Sequence, residues 1–202
     1  MTARLAGLLP GALDEQQTEV YHAITAGPRA AGPQAFALVD EEGRMRGPFN
    51  AMLLSPPVGL AVQAVGTAVR YESVLTDRVR EMAILVVAAE WGSGFEREAH
   101  EEVGRRCGLT ESELRALRAD GLPDLADPAE RAALNAVVAL TCAGALSDQE
   151  YYDTVAAWGE RGLFELTTLV GYYALLALQL RVFAGEGPAD HYDTSRTESG
   201  TS

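Results

Sequence analysis

The stretch "LFELTTLVGYYALLALQLRVF", residues 163–183, constrains the fold more than any other part of the chain. It is apolar on nearly every side of a helix, although Glu165 and Gln179 lie within it and Gly171 interrupts it. Its length is near the lower limit for crossing a membrane, but the sequence contains no second such run. A helix that is apolar all round in a soluble protein is a central one, often covered by a partner subunit. The sequence therefore predicts a buried core helix in a self-assembling protein.

Helical patterns with start and stop signals fill most of the remaining sequence. Thr110 with Glu113, and Ser147 with Glu150, have the spacing of capping boxes. A proline begins the pattern at residue 56, and its apolar positions recur at helical spacing. These apolar positions are Val58, Ala61, Val62, Val65 and Val69. The predicted helices span residues 14–26, 56–73, 76–92, 93–108, 109–121, 128–145, 147–159 and 162–183. The fold class is therefore predicted to be all-α.

Composition shifts divide the chain into three parts. Residues 1–35 carry a short helix and a Gly/Pro/Ala loop at 27–33, and the following "DEEGRMRGP" predicts a turn in an irregular segment. Residues 36–185 hold the helical domain. Residues 186–202 are polar and rich in Gly, Ser and Thr, which predicts a flexible, disordered tail.

The charge balance and the missing residue types exclude several function classes. The net charge of −13 disfavours nucleic acid and anionic membranes as partners. All sixteen basic residues are Arg, so a Schiff-base lysine and a P-loop lysine are both excluded. Cys107 and Cys142 form no CxxC pair, and the N-terminus has no secretory apolar run. These features predict a cytoplasmic protein.

The segment "EWGSGFEREAH", residues 90–100, gathers the candidate catalytic groups. Glu96 and His100 are four residues apart and share one helical face. A glycine break at 92–94 lets this helix fold back beside the preceding one, which carries Glu81. Two carboxylates and an imidazole in one partly buried pocket can exchange protons near neutral pH. A pair at this spacing is also common on solvated helix surfaces, and Glu98, Glu101 and Glu102 are expected to be such surface charges.

Three segments together resemble a known family. "GPFNAMLLSPP", "RVREMAILVVAAEWGSGFEREAH" and "GLTESELRAL" are similar to the carboxymuconolactone decarboxylase family, which is related to AhpD-type alkylhydroperoxidases. The later "ELTTLVGYYALLALQLRVF" is similar to the family's closing helix, so the resemblance covers about residues 36–185. It implies an AhpD-like helical bundle that assembles as a homotrimer or homohexamer.

The resemblance also separates two kinds of chemistry. The AhpD-like branch uses a glutamate, a CxxC pair and a histidine as a thiol proton relay; its cysteines fall on Ser93 and Glu96 here. A hydroxyl and a carboxylate cannot cycle through sulfenic acid and disulfide, so a peroxidase is disfavoured.

The decarboxylase branch carries Glu and His without CxxC. It implies cofactor-free, metal-free proton transfer on a small unsaturated organic acid or lactone, with Glu81, Glu96 and His100 catalytic. The family often has Trp where this chain has Arg97, so a flat apolar wall is replaced by a cation.

Residues around the two turns are candidates for substrate binding. In the family the segment after "GPF" borders the site, which implicates Phe49, Asn50 and Leu53; Trp91, Ser93 and Phe95 surround the glycine break. A packing role is an equal alternative for the aromatic residues.

Other polar residues are expected to be structural. These are Tyr172 and Tyr173, expected to pack in the core, and Arg70, Arg78 and Arg80, expected to be solvated helix charges. His22 and His191 are given no role. The remaining alternative is a non-catalytic oligomer that binds a small molecule.

Overall fold

The computed structural model describes residues 4–31, 36–119 and 121–184, and within them the secondary structure is helical apart from one isolated β-bridge between Val39 and Met45. Within these described ranges, a short 3-10 turn at Pro10–Ala12 is followed by nine α-helices. They are α1 (Glu15–Thr25), α2 (Pro28–Ala31), α3 (Phe49–Met52), α4 (Pro56–Tyr71), α5 (Asp77–Glu90), α6 (Gly94–Arg106), α7 (Glu111–Arg118), α8 (Pro128–Ala143) and α9 (Asp148–Gln179). The predicted all-α fold is confirmed; the tail beyond residue 184 lies outside the described residues.

Helix ends follow the predicted capping chemistry in most places. The Thr110–Glu113 and Ser147–Glu150 capping boxes both form. Thr76 caps α5 by accepting a hydrogen bond from the Val79 backbone N–H. Ser93 stands at the cap position of α6, but its side chain makes no capping hydrogen bond. Its hydroxyl is turned into the protein instead, where it becomes part of the candidate site.

Two predicted boundaries need correction. The predicted loop at 27–33 contains a helical turn, α2, which buries Arg29. The helices predicted at 147–159 and 162–183 follow each other within α9, separated by a break at Gly159, whose φ of 70° and ψ of 171° are not helical. The described helix then ends in a π-helical turn, Leu180–Ala184.

Helix α5 lies at the centre of the bundle. It packs against α6, α7, α8 and α9, and most of its residues are buried, including Met82, Ile84 and Val87. Helix α9 packs against α8, α5 and α4, while α1 covers another side of α4. Leu166, Leu169, Tyr173 and Leu176 of α9 belong to the core. Helix α9 with its π turn is long and apolar enough to cross a membrane, but half of its most hydrophobic window is buried within the protein. That burial is typical of a core helix.

Helix α4 does not bury the apolar face that its sequence predicts. Val58 is 58% exposed and Val65 is 40% exposed. The buried face carries Gly59, Gln63 and Gly66 together with Val69. The reason is steric: a Cβ built on Gly66 would lie 2.1 Å from the Tyr172 hydroxyl, and one on Gly59 would lie 2.3 Å from the Met52 carbonyl oxygen. Only a face of small residues lets α4 come this close to its neighbours.

Candidate active site

The turn between α5 and α6 brings the predicted catalytic groups together. Gly92 adopts a left-handed φ of 59°, which reverses the chain so that α6 packs back along α5. As a result the Glu81 Oε2 atom lies 2.6 Å from Nδ1 of His100. Both residues are buried, with 3% and 5% of their surface exposed. Glu81 and His100 are therefore close together in the structure, as the sequence predicts.

Arg70, which was expected to be a solvated charge, and Tyr173, which packs in the core as expected, complete this cluster. The Arg70 Nη1 atom donates to the Tyr173 hydroxyl at 3.0 Å and lies 3.4 Å from Nε2 of His100. Its Nη2 atom is 3.6 Å from the second carboxylate oxygen of Glu81. The Tyr173 ring meets the imidazole edge-on, with 5.2 Å between ring centroids. Arg70 therefore contacts both members of the Glu–His pair, and it is not a solvated helix charge.

The hydrogen bonds define which nitrogen of His100 is basic. Burial, which disfavours the charged imidazolium, lowers the pKa of His100, although the Glu81 carboxylate opposes this effect. The imidazole is therefore neutral near pH 7. Glu81 keeps a lowered pKa: burial alone would raise it, but the hydrogen bond from His100 and the charge of Arg70 outweigh that effect. An ionised Glu81 accepts the Nδ1 proton, and so Nε2 is left with the free lone pair.

Glu96 lies one turn before His100 on α6, and Ser93 stands at the N-cap of that helix, about two turns before His100. Both are buried, and Ser93 Oγ has no hydrogen-bond partner among the described residues. The charge of Glu96 adds to burial in raising the pKa of the Tyr172 hydroxyl, whereas Arg29 lowers it. The carboxylate that holds the imidazole is thus that of Glu81, while Glu96 acts on the Tyr172 side of the cluster. A serine and a glutamate occupy the two positions where the resemblance to the thiol branch places cysteines.

The residues predicted to bind substrate lie in two different environments. Phe49 and Leu53 are in the hydrophobic core, where the Phe49 ring stacks on Phe36 at 6.1 Å. Asn50 and Phe95 line an open cavity of about 650 Å³, together with Gln179 and Phe183. Trp91 is half-buried, with the Arg181 guanidinium 5.8 Å from its ring centroid. Their role in binding stays a prediction.

Several charged residues are more deeply integrated than the sequence suggested. Glu101, expected on the surface, is buried and accepts a 2.5 Å hydrogen bond from Nε of Arg118. Arg78 joins Glu130 and Glu113 at 2.8 and 2.7 Å. Arg29 places its guanidinium 4.9 Å from the Phe49 ring centroid. For Arg70, the sequence did contain a signal. Gly59, Gln63, Gly66 and Arg70 recur at helical spacing on α4 and form a stripe that is not apolar.

The all-α bundle, with its buried Glu–His pair on two consecutive helices, has an AhpD-like fold. Residues 56–139, from the start of α4 into α8, match the model of the Carboxymuconolactone decarboxylase family. That region includes Arg70, Glu81, Glu96 and His100. The resemblance predicted from the sequence is therefore confirmed. No curated protein sequence matches the chain.

Solved structures share the fold at low sequence identity. An uncharacterised peroxidase-related protein with an alkylhydroperoxidase AhpD core, from Ralstonia eutropha, is 14% identical, with 94% of each chain covered and a TM-score of 0.69. A protein of unknown function from Agrobacterium tumefaciens, described as a putative antioxidant defence protein AhpD, is 20% identical, covering 72% of this chain and all of its own, with a TM-score of 0.60. The debrominase Bmp8, as a Cys-to-Ala variant with 2,3,4-tribromopyrrole, is 13% identical, with 90% of each chain covered and a TM-score of 0.66. At these identities the likeness extends to the fold alone.

Proposed function

We propose that this protein is a cofactor-independent carboxy-lyase that acts by proton transfer on a small unsaturated organic acid or lactone. The observation that carries the proposal is the buried pair in which Glu81 holds Nδ1 of His100 at 2.6 Å. This bond leaves Nε2 as the atom that can take and return a proton. A positioned acid–base group of this kind is typically worth about 10²–10⁴-fold in rate.

The chemistry requires a substrate whose carboxylate is conjugated, through unsaturation, to a carbonyl. The bond to the carboxylate breaks, carbon dioxide leaves, and the electron pair moves into the unsaturated carbonyl as an enolate. The enolate carbon then takes a proton from the His100 imidazolium, and solvent replaces that proton. The negative substrate favours this imidazolium, because a nearby anion raises the pKa that burial has lowered. Since the substrate itself holds the electrons, no cofactor is needed.

The test uses carboxymuconolactone, the acid for which the matching family is named, and measures release of carbon dioxide. His100→Ala should lower turnover by about 10²–10⁴-fold. Glu81→Gln and Glu96→Gln should each lose a comparable share, while the exposed Glu98→Gln is the matched control and should leave turnover unchanged. A panel of unsaturated lactone acids extends the assay. The proposal fails if no member of the panel loses carbon dioxide, or if His100→Ala turns over like the wild type.

A thiol peroxidase is the second candidate, and the cysteines disfavour it. Burial is the main cause that raises the pKa of Cys107, with Glu81 and Asp77 adding to it, so its reactive thiolate is scarce. Hydroperoxide consumption should therefore be slow, and any that exists should survive in a Cys107→Ala, Cys142→Ala double variant. Loss of substantial peroxide consumption in that variant would restore thiol chemistry.

We further propose that the chain assembles with copies of itself, as a trimer or hexamer, in the cytoplasm. The support is a stripe of exposed apolar side chains on α9 and its π turn. The stripe on α9 and the π turn consists of Phe164, Leu175, Leu178 and Val182. Exposed apolar side chains that line up along one helix are typical of an interface. A purely non-catalytic oligomer is the outcome if the acid panel is bound but not converted.

A further inference from the structure

Arg70 is a partly buried cation whose hydrogen-bonding capacity is only partly used. Its side chain is 14% exposed, so part of it reaches solvent. It makes one well-formed hydrogen bond, to Tyr173 at 3.0 Å. Its contacts with His100 at 3.4 Å and Glu81 at 3.6 Å are loose. Its Nε–H group is buried and has no acceptor among the described residues.

This pattern is unusual for a purely structural arginine. A guanidinium carries five N–H donors in a fixed planar fork that fits the two oxygens of a carboxylate. Arg78 shows a fork that is well used: it binds two carboxylates and the Gly108 carbonyl oxygen, all at 2.6–2.8 Å. Arg70, in contrast, lies beside one carboxylate that is already held by His100. Its remaining donors are suited to an acceptor from outside the chain.

The charges around His100 also favour an anion. The groups that face the imidazole are Glu81 from α5, Arg70 from α4 and Tyr173 from α9. The charge of Arg29 on α2 also acts on the imidazole. Arg70 and Arg29 both add to burial in lowering the pKa of His100, which means that both impose a positive potential at the ring. Glu81 directs its charge to the Nδ1 side. The Nε2 side, where Arg70 lies, is the side that attracts an anion.

We infer that Arg70 is the receptor for the carboxylate of an incoming substrate, and that in the free protein it rests against the basic nitrogen of His100 until that carboxylate draws it away. The inference rests on the proposed function for the identity of the anion as the carboxylate of a small unsaturated acid. It adds a recognition element and a resting state. Arg70 binds the anion and keeps Nε2 covered while the site is empty of substrate.

The experiment separates binding from turnover. Benzoate, a planar carboxylate that cannot lose carbon dioxide in this way, is titrated into the protein while the His100 imidazole resonances are followed by NMR. Neutral benzamide is the matched ligand. Wild-type protein should bind benzoate with a shift of the His100 signals, and benzamide should bind far more weakly. Arg70→Gln should weaken benzoate binding by about tenfold or more, as expected for the loss of charge-assisted hydrogen bonds.

Two further variants guard against a general loss of structure. Arg70→Lys keeps the charge without the fork and should bind benzoate with intermediate affinity. Arg97→Gln removes an exposed cation of α6, three residues before His100, and should bind like the wild type. Benzoate binding that is equal in wild type and folded Arg70→Gln, or that is absent from the wild type, overturns the inference. A third outcome separates the two proposals. If benzoate binding depends on Arg70 but the protein decarboxylates no acid, the inference stands and the proposed lyase function is rejected.

Discussion

At the scale of single residues, the protonation state of His100 depends on a partner that is distant in sequence. Spacing along α6 puts Glu96 one turn before His100, which is a position from which a carboxylate can fix the imidazole tautomer. The structure gives this position to Glu81, nineteen residues before His100, at 2.6 Å. Glu96 is buried one turn earlier and influences Tyr172 instead. The site therefore has a proton-holding end at His100 and a separate buried carboxylate beside the tyrosine.

The lowered pKa of His100 makes stability depend on pH in a predictable direction. The unfolded chain takes up the proton near the ordinary histidine pKa of 6.5, whereas the folded protein resists it until lower pH. The stability that the neutral His100 contributes should therefore be fully present above pH 6.5. The free energy of unfolding should fall as the pH drops below that value. The slope contributed by this one group cannot exceed about 1.4 kcal/mol per pH unit.

Urea denaturation between pH 7.5 and pH 5.5 checks this prediction. That window lies above the ordinary Glu pKa of 4.5, so the lowered pKa of Glu81 has its effect at more acidic pH. His100→Gln should flatten the slope, while His22→Gln, which changes an exposed histidine, should retain it. An identical pH dependence in wild type and His100→Gln would contradict the lowered pKa.

At the scale of helices, the packing of α4 on α9 depends on Gly66. A methyl group at this position would meet the Tyr172 hydroxyl at 2.1 Å and Arg29 Nη2 at 2.8 Å. Gly66→Ala should therefore destabilise the protein by about 1–3 kcal/mol, as other overpacked core positions do. Gly171→Ala on α9 is the control, because nothing lies within 4 Å of its Cβ position.

Chemical denaturation of both variants distinguishes the steric effect from helix propensity. Replacing a helical glycine by alanine without a clash should stabilise by about 0.5–1 kcal/mol. Gly171→Ala should follow that expectation, and Gly66→Ala should change stability in the opposite direction. Stabilisation of both variants would show that α4 does not approach α9 this closely.

Arg78 joins three elements of the bundle. From α5 it donates to Glu130 on α8, to Glu113 on α7 and to the Gly108 carbonyl oxygen at the end of α6. Its removal leaves two partly buried carboxylates without their common partner. Arg78→Ala should therefore lower the free energy of unfolding by about 2 kcal/mol, within the range for charged hydrogen bonds.

Thermal and urea denaturation of Arg78→Ala measure this contribution. Arg115→Ala is the matched control, since Arg115 is an exposed residue of α7. Exposed arginines contribute about 0–1 kcal/mol through ion pairs. Equal losses in the two variants would mean that Arg78 acts as an ordinary surface charge.

At the scale of the whole molecule, the exposed apolar stripe makes self-assembly testable. Leu178 is 46% exposed and Phe164 is 70% exposed, although both belong to the helix that provides much of the core. Light scattering of the wild type should give a mass that is a multiple of the 21.5 kDa chain. Leu178→Asp or Leu175→Asp should shift the mass towards the monomer, because a buried unpaired charge is costly in an interface.

Leu122→Asp provides the control for assembly. Leu122 is 50% exposed but lies between α7 and α8, away from the stripe. This variant should keep the assembled mass, and circular dichroism should show helical structure in all three variants. A wild-type protein that remains a 21.5 kDa monomer at micromolar concentration contradicts the assembly proposal.

The sequence by itself determined the helices and one half of the site. Capping residues such as Thr110 and Ser147 act within four residues, so local spacing is enough to predict where helices begin. The glycine break at Gly92 similarly predicts a reversal, and that reversal brings Glu81 to His100. These features involve neighbours in the chain or two consecutive helices, and short-range rules describe them well.

Only the tertiary structure decided which face of α4 is buried, and with it the role of Arg70. Periodicity favoured the face with Val58 and Val65, because a valine stripe is the usual sign of a core. The face that enters the bundle is instead the one where Gly66 admits Tyr172, a residue more than 100 positions later. Which face is buried depends on how well surfaces that are far apart in sequence fit together. The hydrophobic pattern of one helix does not predict that fit. Arg70 lies beside His100 for the same reason.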